Sequence, residues 1–255
     1  MYKVKQIKGL TYLAPPGWRG VLCAFTTRLG GVSQGPFATL NLGRSCGDDG
    51  AAVDENWRLV LGGLGLEGLP RAAAWQVHGT KVARIEDIPG DYHLYRDTDA
   101  LITDRRGIVL STLYADCVPL VFYDPRNKAI GMAHAGWRGT RAHIGPVTLA
   151  AMEQAFGTRP EDCLVGIGPS IGPCCYSVGP EVGDEFAPLG AVQSREGKLF
   201  VDLPRANQLL LLQEGVRPEN IQLAGICTSC RQDLFFSHRG SGGITGRMAS
   251  IMVLL

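Results

Sequence analysis

The sequence predicts a mixed α+β fold in which sheets and helices form the layers of a single domain spanning residues 1–255. Segments with strand-like patterning outnumber amphipathic helical ones, and they occur in adjacent pairs as well as in alternation with helices. No repeat, low-complexity tract or long polar linker divides the chain, whose 255 residues lie near the upper limit for one hydrophobic core. We therefore expect mixed sheets covered by helices rather than a doubly wound parallel sheet.

The first half of the chain predicts one helix followed by strands. Positions 52–61 have helical apolar spacing, and Gly62-Gly63 is expected to end that helix. Strands are predicted over 73–77 and 81–85, around a turn at Gly79. The strongest strand signal covers 107–123, and a further strand is predicted over 129–133.

The second half predicts two helices among short strands. The first helix should run to about Phe156, kinked or split at Gly145-Pro146, since proline lacks a backbone N–H. The second begins after Asp202, a good N-cap, with Pro204 in its first turn. Strands are predicted over 164–167, 221–226 and 249–254.

Composition excludes several classes of function. The chain has 25 basic and 24 acidic residues and a net charge of +1, so no broad basic surface for nucleic acid or anionic lipid is expected. No apolar run reaches the ~20 residues that span a bilayer, and the N-terminus lacks the apolar core of a signal peptide. We expect a cytoplasmic protein with no nucleic-acid or membrane partner, whose eight cysteines are thiols or metal ligands.

Three side chains suited to metal binding lie at the edges of apolar runs. His78, Cys117 and His134 offer two imidazoles and a thiolate, which zinc prefers, and three protein ligands would leave a coordination position open, as in catalytic sites. Their spacings of 39 and 17 residues are not a local finger pattern, so convergence depends on the fold. The alternative is that Cys117 is a small buried hydrophobe and that backbone carbonyls satisfy the histidines.

Neighbouring polar residues have both a functional and a structural interpretation. Asp116 precedes the thiolate and either orients a ligand or binds substrate, or simply ends a strand. Arg138 follows His134 by four residues, where it either meets an anion or lies on the surface. His238 is a candidate pocket residue.

The cysteine-rich and glycine-rich segments are less specific. Cys227 and Cys230 have Cys-x-x-Cys spacing, but no second such pair exists, so we expect two buried thiols rather than a zinc ribbon or redox pair. Packing is expected for the adjacent Cys174-Cys175. The glycine-rich stretch 240–246, bracketed by Arg239 and Arg247, is either a phosphate cradle or a flexible loop.

As a set, these segments resemble the multicopper polyphenol oxidoreductase (laccase) domain family, also described as FAMIN-like purine nucleoside phosphorylases. The matching stretches run in family order from about residue 20 to 250 and comprise Phe25-Thr26-Thr27-Arg28 with Gly30-Gly31-Val32-Ser33, Leu40-Asn41-Leu42-Gly43, Gln76-Val77-His78-Gly79, Ala115-Asp116-Cys117, His134-Ala135-Gly136-Trp137-Arg138-Gly139, Gly168-Pro169-Ser170-Ile171-Gly172, and Cys227-Thr228-Ser229-Cys230 with Thr245-Gly246-Arg247. The resemblance implies a layered α/β/β/α fold and a Zn²⁺ site at His78, Cys117 and His134, with Cu²⁺ as the alternative ion.

The resemblance also implies phosphorolysis of purine nucleosides (adenosine, inosine and methylthioadenosine) to free base and ribose 1-phosphate, with adenosine deamination as a companion activity. Catalytic roles then fall to Cys117, His134, Asp116 and Arg138, and substrate contacts to Arg28, Asn41, Gln76, His238, Arg239 and Arg247.

Three other functions stay open. A copper-dependent polyphenol oxidoreductase is disfavoured because a multicopper site needs paired histidines, and the five histidines form no His-x-His motif. A Cys117–His134 hydrolase acting on cell-wall peptide precursors is a second alternative. A zinc-stabilised interaction module, which would need a fourth protein ligand, is the third.

Overall fold

The computed structural model describes residues 2–255, and within them it contains sixteen β-strands and five α-helices. The strands are β1 Lys3–Ile7, β2 Leu10–Ala14, β3 Val21–Thr26, β4 Arg71–Ala74, β5 Val82–Arg84, β6 Tyr92–Tyr95, β7 Ala100–Thr103, β8 Val109–Tyr114, β9 Val118–Asp124, β10 Ala129–Ala135, β11 Leu164–Ile167, β12 Ser177–Val178, β13 Val192–Arg195, β14 Lys198–Val201, β15 Ile221–Leu223 and β16 Met248–Leu254. The helices are α1 Gly50–Leu64, α2 Trp137–Arg141, α3 Ile144–Phe156, α4 Pro180–Phe186 and α5 Leu203–Gln213.

Two large mixed sheets form the centre of the molecule. One has seven strands in the order β1-β2-β3-β16-β8-β4-β6, and the other has six in the order β15-β11-β9-β10-β7-β5. Parallel pairs such as β4 with β8 occur beside antiparallel pairs such as β9 with β10. Strands therefore outnumber helices and pair in both senses, which confirms the predicted α+β class.

The alternation of side chains along the strands builds four layers. In β9, Val121 faces the apolar core between the two sheets, whereas Leu120 and Phe122 face the core beneath α3 and α5. On the opposite side, α1 packs Val53 and Val60 against the seven-stranded sheet. The order helix, sheet, sheet, helix is the α/β/β/α arrangement that the family resemblance implied.

The predicted end of the first helix was wrong. Helix α1 continues through Gly62-Gly63 to Leu64 and ends at Gly65, which has left-handed backbone torsions. A side chain at Gly63 would lie 3.3 Å from Leu10, so this glycine allows helix and strand to approach closely. Tertiary packing, rather than a local stop, explains the glycine pair.

The helix after residue 139 is split as predicted, but at another position. The break falls at His143, which has a left-handed φ of 61° and separates α2 from α3. Gly145-Pro146 lies in the first turn of α3, where a missing proline N–H costs no intrahelical hydrogen bond.

Several predicted strands are displaced or shorter. The strand predicted over 73–77 is observed as β4, Arg71–Ala74, and so begins and ends earlier than predicted. It does not reach Val77, because the N–H of Val77 donates to the carboxylate of Asp99 and not to a neighbouring strand. The strand predicted over 221–226 ends at Leu223. Within residues 2–255, none of the helices is long and apolar enough to cross a bilayer.

Candidate metal centre and active site

The three predicted metal ligands come together although they leave different parts of the two sheets. His78 lies in the loop between β4 and β5, Cys117 in the turn from β8 to β9, and His134 on β10. Their ligand atoms all lie within 4.8 Å of one another, and the two imidazole centroids are 4.7 Å apart. The turn from β8 to β9 also joins the two sheets, so the ligand group forms where the chain passes from one sheet to the other.

One buried carboxylate orients both histidine-bearing segments. Asp99, which is 0% exposed, lies 2.9 Å from Nδ1 of His134 and accepts backbone N–H bonds of 2.8–3.0 Å from residues 77–79. Because Nδ1 of His134 is engaged, its Nε2 is the nitrogen left for a metal. A ligating histidine held by a carboxylate is the usual outer-shell arrangement of zinc sites.

A glycine lets the backbone pass directly beside the ligands. A Cβ atom at Gly136 would lie 2.7 Å from Nδ1 of His78 and 3.0 Å from Sγ of Cys117. Two residues of the site carry backbone strain: Asp116, which directly precedes Cys117, has a φ of 84°, and His78 itself has a φ of 61°. One soft sulfur and two imidazoles held in this cradle fit a borderline ion such as zinc or copper.

Without metal, the site is a charged pair. Burial alone would raise the pKa of the Cys117 thiol, but the charge of His134 and hydrogen bonds from His134 and His78 lower it to about 6. Burial would lower the pKa of His134, whereas the Cys117 thiolate and the hydrogen bond with Asp99 raise it to about 9. The thiolate and the imidazolium therefore stabilise each other, which lowers the pKa of Cys117 and raises that of His134.

We expect zinc-free protein to be alkylated by iodoacetamide at Cys117 at a rate that falls only below about pH 6, because the thiolate is the reactive form. Zinc should suppress the reaction by coordinating the sulfur. The measurement is mass spectrometry of the Cys117 peptide across a pH series, with Cys23 and Cys163 as internal controls, since burial raises the pKa of both thiols. A rate that rises only near the ordinary pKa of 9.0, or zinc that gives no protection, would contradict this assignment.

Arginine and tyrosine side chains flank the ligand group. Burial raises the pKa of Tyr176 to about 12, with Cys117 and Asp116 adding to the shift and Arg239 and Arg138 opposing it. The Arg239 guanidinium lies 5.1 Å from the centroid of the Tyr176 ring. The guanidinium of Arg138 is exposed, stacks 4.4 Å from the Trp137 ring and has no hydrogen bond or salt bridge within residues 2–255.

Asp116 links the adjacent loops through hydrogen bonds. Its two carboxylate oxygens accept from the hydroxyl of Thr228 at 2.6 Å and from the backbone N–H of Arg239 at 2.7 Å. The Arg239 guanidinium donates to the carbonyl of Ser177 at 2.8 Å. Asp116 thus holds Arg239 beside the turn that carries Cys117.

Other residues with a predicted substrate contact have internal hydrogen bonds in the structure. The amide of Gln76 bonds both backbone groups of Leu113 at 2.8 Å and so fixes the loop before His78. Arg28 donates to the carbonyls of Ala38 and Gln232.

Asn41 is buried and accepts from the backbone N–H of Arg247, whose guanidinium bonds the carbonyls of Thr245 and Gly246. His238 is exposed, and the loop after it has positive φ at two glycines. Within residues 2–255, no hydrogen bond joins the three ligands to Arg28, Asn41, Arg247 or His238. The substrate roles of these four residues stay predictions.

The structure adds residues that the sequence analysis did not single out. Asp99, Tyr176 and Thr228 all contact the site or its immediate supports. Thr228 lies between Cys227 and Cys230, whose thiols are the obvious feature of that motif. The sequence offers only a weak signal for Asp99, which is an acidic residue directly before a short apolar segment.

A His/Cys/His group at the junction of two mixed sheets defines a protein with a candidate transition-metal centre. Residues 22–255 match the family model described as multi-copper polyphenol oxidoreductase laccase. The chain is 35% identical to the purine nucleoside phosphorylase YlmD of Geobacillus stearothermophilus, over 97% of this chain and 95% of that protein. It is 39% identical to a purine nucleoside phosphorylase of Deinococcus radiodurans, over 96% of this chain and 94% of that one.

Solved structures agree. The crystal structure of the Bacillus licheniformis hypothetical protein YfiH superposes with a TM-score of 0.92 at 33% identity, covering 100% of this chain and 99% of that one. The chain belongs to the laccase-like multi-copper polyphenol oxidoreductase family, whose members named above include purine nucleoside phosphorylases. The predicted family membership is confirmed.

Proposed function

We propose that this protein is a zinc-dependent purine nucleoside phosphorylase that also deaminates adenosine. The observation that carries the proposal is the convergence of His78, Cys117 and His134 near Arg138, which follows His134 by four residues and, like Cys117, acts on the pKa of Tyr176. In the part of the chain described, Arg138 is exposed and makes no hydrogen bond or salt bridge. The names of the relatives supply the substrate class. The ligands of the reaction are then a purine nucleoside and inorganic phosphate.

Phosphorolysis needs an anion site next to a sugar site. A phosphate oxygen forms a bond to C1′ of the ribose, the N-glycosidic bond breaks, and its electron pair leaves with the base, which takes up a proton. Arg138 supplies the first charge for phosphate, and Arg239, held by Asp116 and Ser177, supplies the second. Holding phosphate next to C1′ of the ribose supplies much of the rate enhancement, because the two reactants then no longer have to meet by diffusion in the correct orientation.

The donor set of His78, Cys117 and His134 would hold the zinc ion, with Asp99 fixing the orientation of His134. When bound, zinc supplies Lewis acidity and lowers the pKa of a coordinated water to about 7, which suits removal of the adenine amino group. Asp99 keeps His134 in the tautomer that presents Nε2. The three-ligand count favours deamination as the second activity, since it leaves one position for a reactant.

The decisive experiment is metal analysis of the purified protein combined with product detection. Adenosine and inosine are incubated with and without phosphate, and base, ribose 1-phosphate and inosine are quantified. We expect base release to require phosphate and adenosine-to-inosine conversion to proceed without it. Equal base release in both conditions would instead identify a hydrolase. Copper content with oxygen consumption on a phenol would identify an oxidoreductase.

Replacing Arg138 with alanine should raise the KM for phosphate about 10- to 100-fold and leave deamination nearly unchanged, since a hydrogen bond to a charged group contributes about 1.5–3 kcal/mol. The measurement is initial rate against phosphate concentration, with deamination assayed in parallel. Arg141→Ala is the matched control, because Arg141 lies on the same helix but pairs with Glu185. A parallel fall of both activities would show that Arg138 is a structural or general binding residue.

A further inference from the structure

Four cysteines form a second cluster of sulfur atoms outside the His/Cys/His group. Cys174 and Cys175 lie in the loop after β11, and Cys227 and Cys230 lie in the loop after β15. All four Sγ atoms lie within 4.8 Å of one another, and Sγ of Cys230 is 3.4 Å from that of Cys174 and of Cys175. We call these four residues the thiol cluster.

These spacings match one tetrahedral ion. Zinc–sulfur bonds of about 2.3 Å in a tetrahedron place the sulfurs about 3.8 Å apart. The two separations of 3.4 Å from Sγ of Cys230 are slightly shorter than that value, and all four sulfurs lie within 4.8 Å of one another. A disulfide would need about 2.05 Å between two sulfurs, and a multi-iron cluster would need room for several ions.

The backbone brings the two loops together before any ion is bound. Strands β11 and β15 are parallel neighbours, so both loops leave the same edge of the six-stranded sheet. Their pairing extends past the strands, since Ser170 donates its N–H to Ile226 and accepts from the N–H of Thr228. The N–H of Gly172 points at Sγ of Cys227, 3.2 Å away, a contact that favours a thiolate.

The sequence analysis expected buried thiols, and here the structure differs. Cys174 and Cys230 are exposed, whereas free cysteines without a role are usually buried. The adjacent pair Cys174-Cys175 takes the place of the second Cys-x-x-Cys motif that a zinc ribbon would have. The lack of a second Cys-x-x-Cys motif therefore does not exclude a site made of four cysteines.

We propose that the thiol cluster is a second metal site, in which four thiolates bind one Zn²⁺ ion as a closed structural centre. Four protein ligands leave no position for a reactant, and soft sulfur donors select zinc over magnesium or calcium. The cluster shares no residue with the His/Cys/His group.

The position of this ion explains what it stabilises. Directly after the adjacent cysteine pair come Tyr176, whose ring centroid lies 5.1 Å from the Arg239 guanidinium, and Ser177, whose carbonyl accepts from Arg239. Directly after Cys227 comes Thr228, which donates to Asp116. The structural ion therefore ties together the two loops that place Arg239 and Asp116, without itself contacting substrate.

The test uses full-length protein, reduced and loaded with zinc, then freed of unbound metal. Wild-type protein should hold about two zinc ions per chain, and X-ray absorption should show a first shell that averages about 2.5 sulfurs and one imidazole nitrogen per zinc. Cys230→Ser and Cys174→Ser should each lose one ion and retain the other. Cys117→Ala should retain an ion whose first shell is sulfur only, at about 2.3 Å. Cys46→Ser, in a cysteine outside both groups, should keep the full zinc content.

The proposal would be overturned by zinc content equal to wild type in Cys230→Ser, by zinc-free Cys117→Ala, or by a wild-type first shell with a single sulfur. If the serine variants do not fold, the wild-type spectrum and the number of thiols that zinc protects from alkylation still decide. A disulfide found among the four cysteines in freshly reduced, zinc-loaded protein would also overturn it. None of these readouts depends on nucleoside turnover, so the test is independent of the proposed activity.

Discussion

Cys117→Ala is expected to abolish phosphorolysis and deamination and to remove the zinc ion of the His/Cys/His group. The thiolate is one of three protein ligands, and loss of an outer-shell partner alone typically lowers metal affinity about 10- to 100-fold, so loss of a ligand should exceed that range. Folding should persist, because Cys117 lies in a turn outside the three apolar cores.

Zinc content, turnover and melting temperature in metal-free buffer are the measurements for Cys117→Ala. Cys46→Ala is the matched control and should retain metal and activity, since Cys46 lies outside both candidate metal-binding groups. Full turnover by a zinc-depleted Cys117→Ala protein would remove the thiolate from the mechanism. Activity that survives only in metal-free wild-type protein would instead favour the Cys117–His134 hydrolase.

Gly136→Ala is expected to lower zinc affinity by more than about 10-fold although it changes no ligand. The backbone torsions at this position suit alanine, but the new Cβ would lie 2.7 Å from Nδ1 of His78 and 3.0 Å from Sγ of Cys117. The ligands must then shift by several tenths of an ångström, and metal–ligand distances tolerate only about 0.2 Å. The cost to folding should stay near ~1 kcal/mol, since the residue caps a short helix.

Gly79→Ala is the control for this substitution. Gly79 lies next to His78, yet a Cβ there would meet its nearest neighbours at 3.6 Å and 3.7 Å, which is ordinary van der Waals contact. Competition with a chromogenic chelator measures the zinc affinity of both variants. Equal affinities would show that the close approach of Gly136 is not needed for metal binding.

The convergence of His78, Cys117 and His134 could be predicted because residue type and local context both marked these positions. His78, Cys117 and His134 are metal-capable side chains at the ends of apolar segments, and such segments form strands whose ends can meet. The role of Asp99 was not predicted, because its contact with His134 spans 35 residues and has no periodic signal in the sequence. The thiol cluster was missed for a similar reason, since its two halves lie 56 residues apart and follow different spacings.

Helix and strand ends were the least predictable part of the fold. A glycine pair normally ends a helix, but Gly63 is used for contact with Leu10 of the neighbouring strand. Strand β1 was not predicted, because all five of its residues are exposed and it is held by pairing with β2 at the edge of the sheet. Both cases depend on a partner elsewhere in the chain, which local patterning does not reveal.

The chain passes between the two sheets at the His/Cys/His group, so we expect the affinity of this group for a metal to depend on how the two sheets are aligned. His78 follows a strand of the seven-stranded sheet, His134 belongs to the six-stranded sheet, and Cys117 lies on the connection between them. Sliding one sheet over the other by a fraction of an ångström would change all three ligand distances together. Substitutions among the apolar residues between the sheets, such as Met132 and Leu110, should therefore change metal affinity from a distance. Bound metal in turn should slow amide hydrogen exchange in both sheets at once.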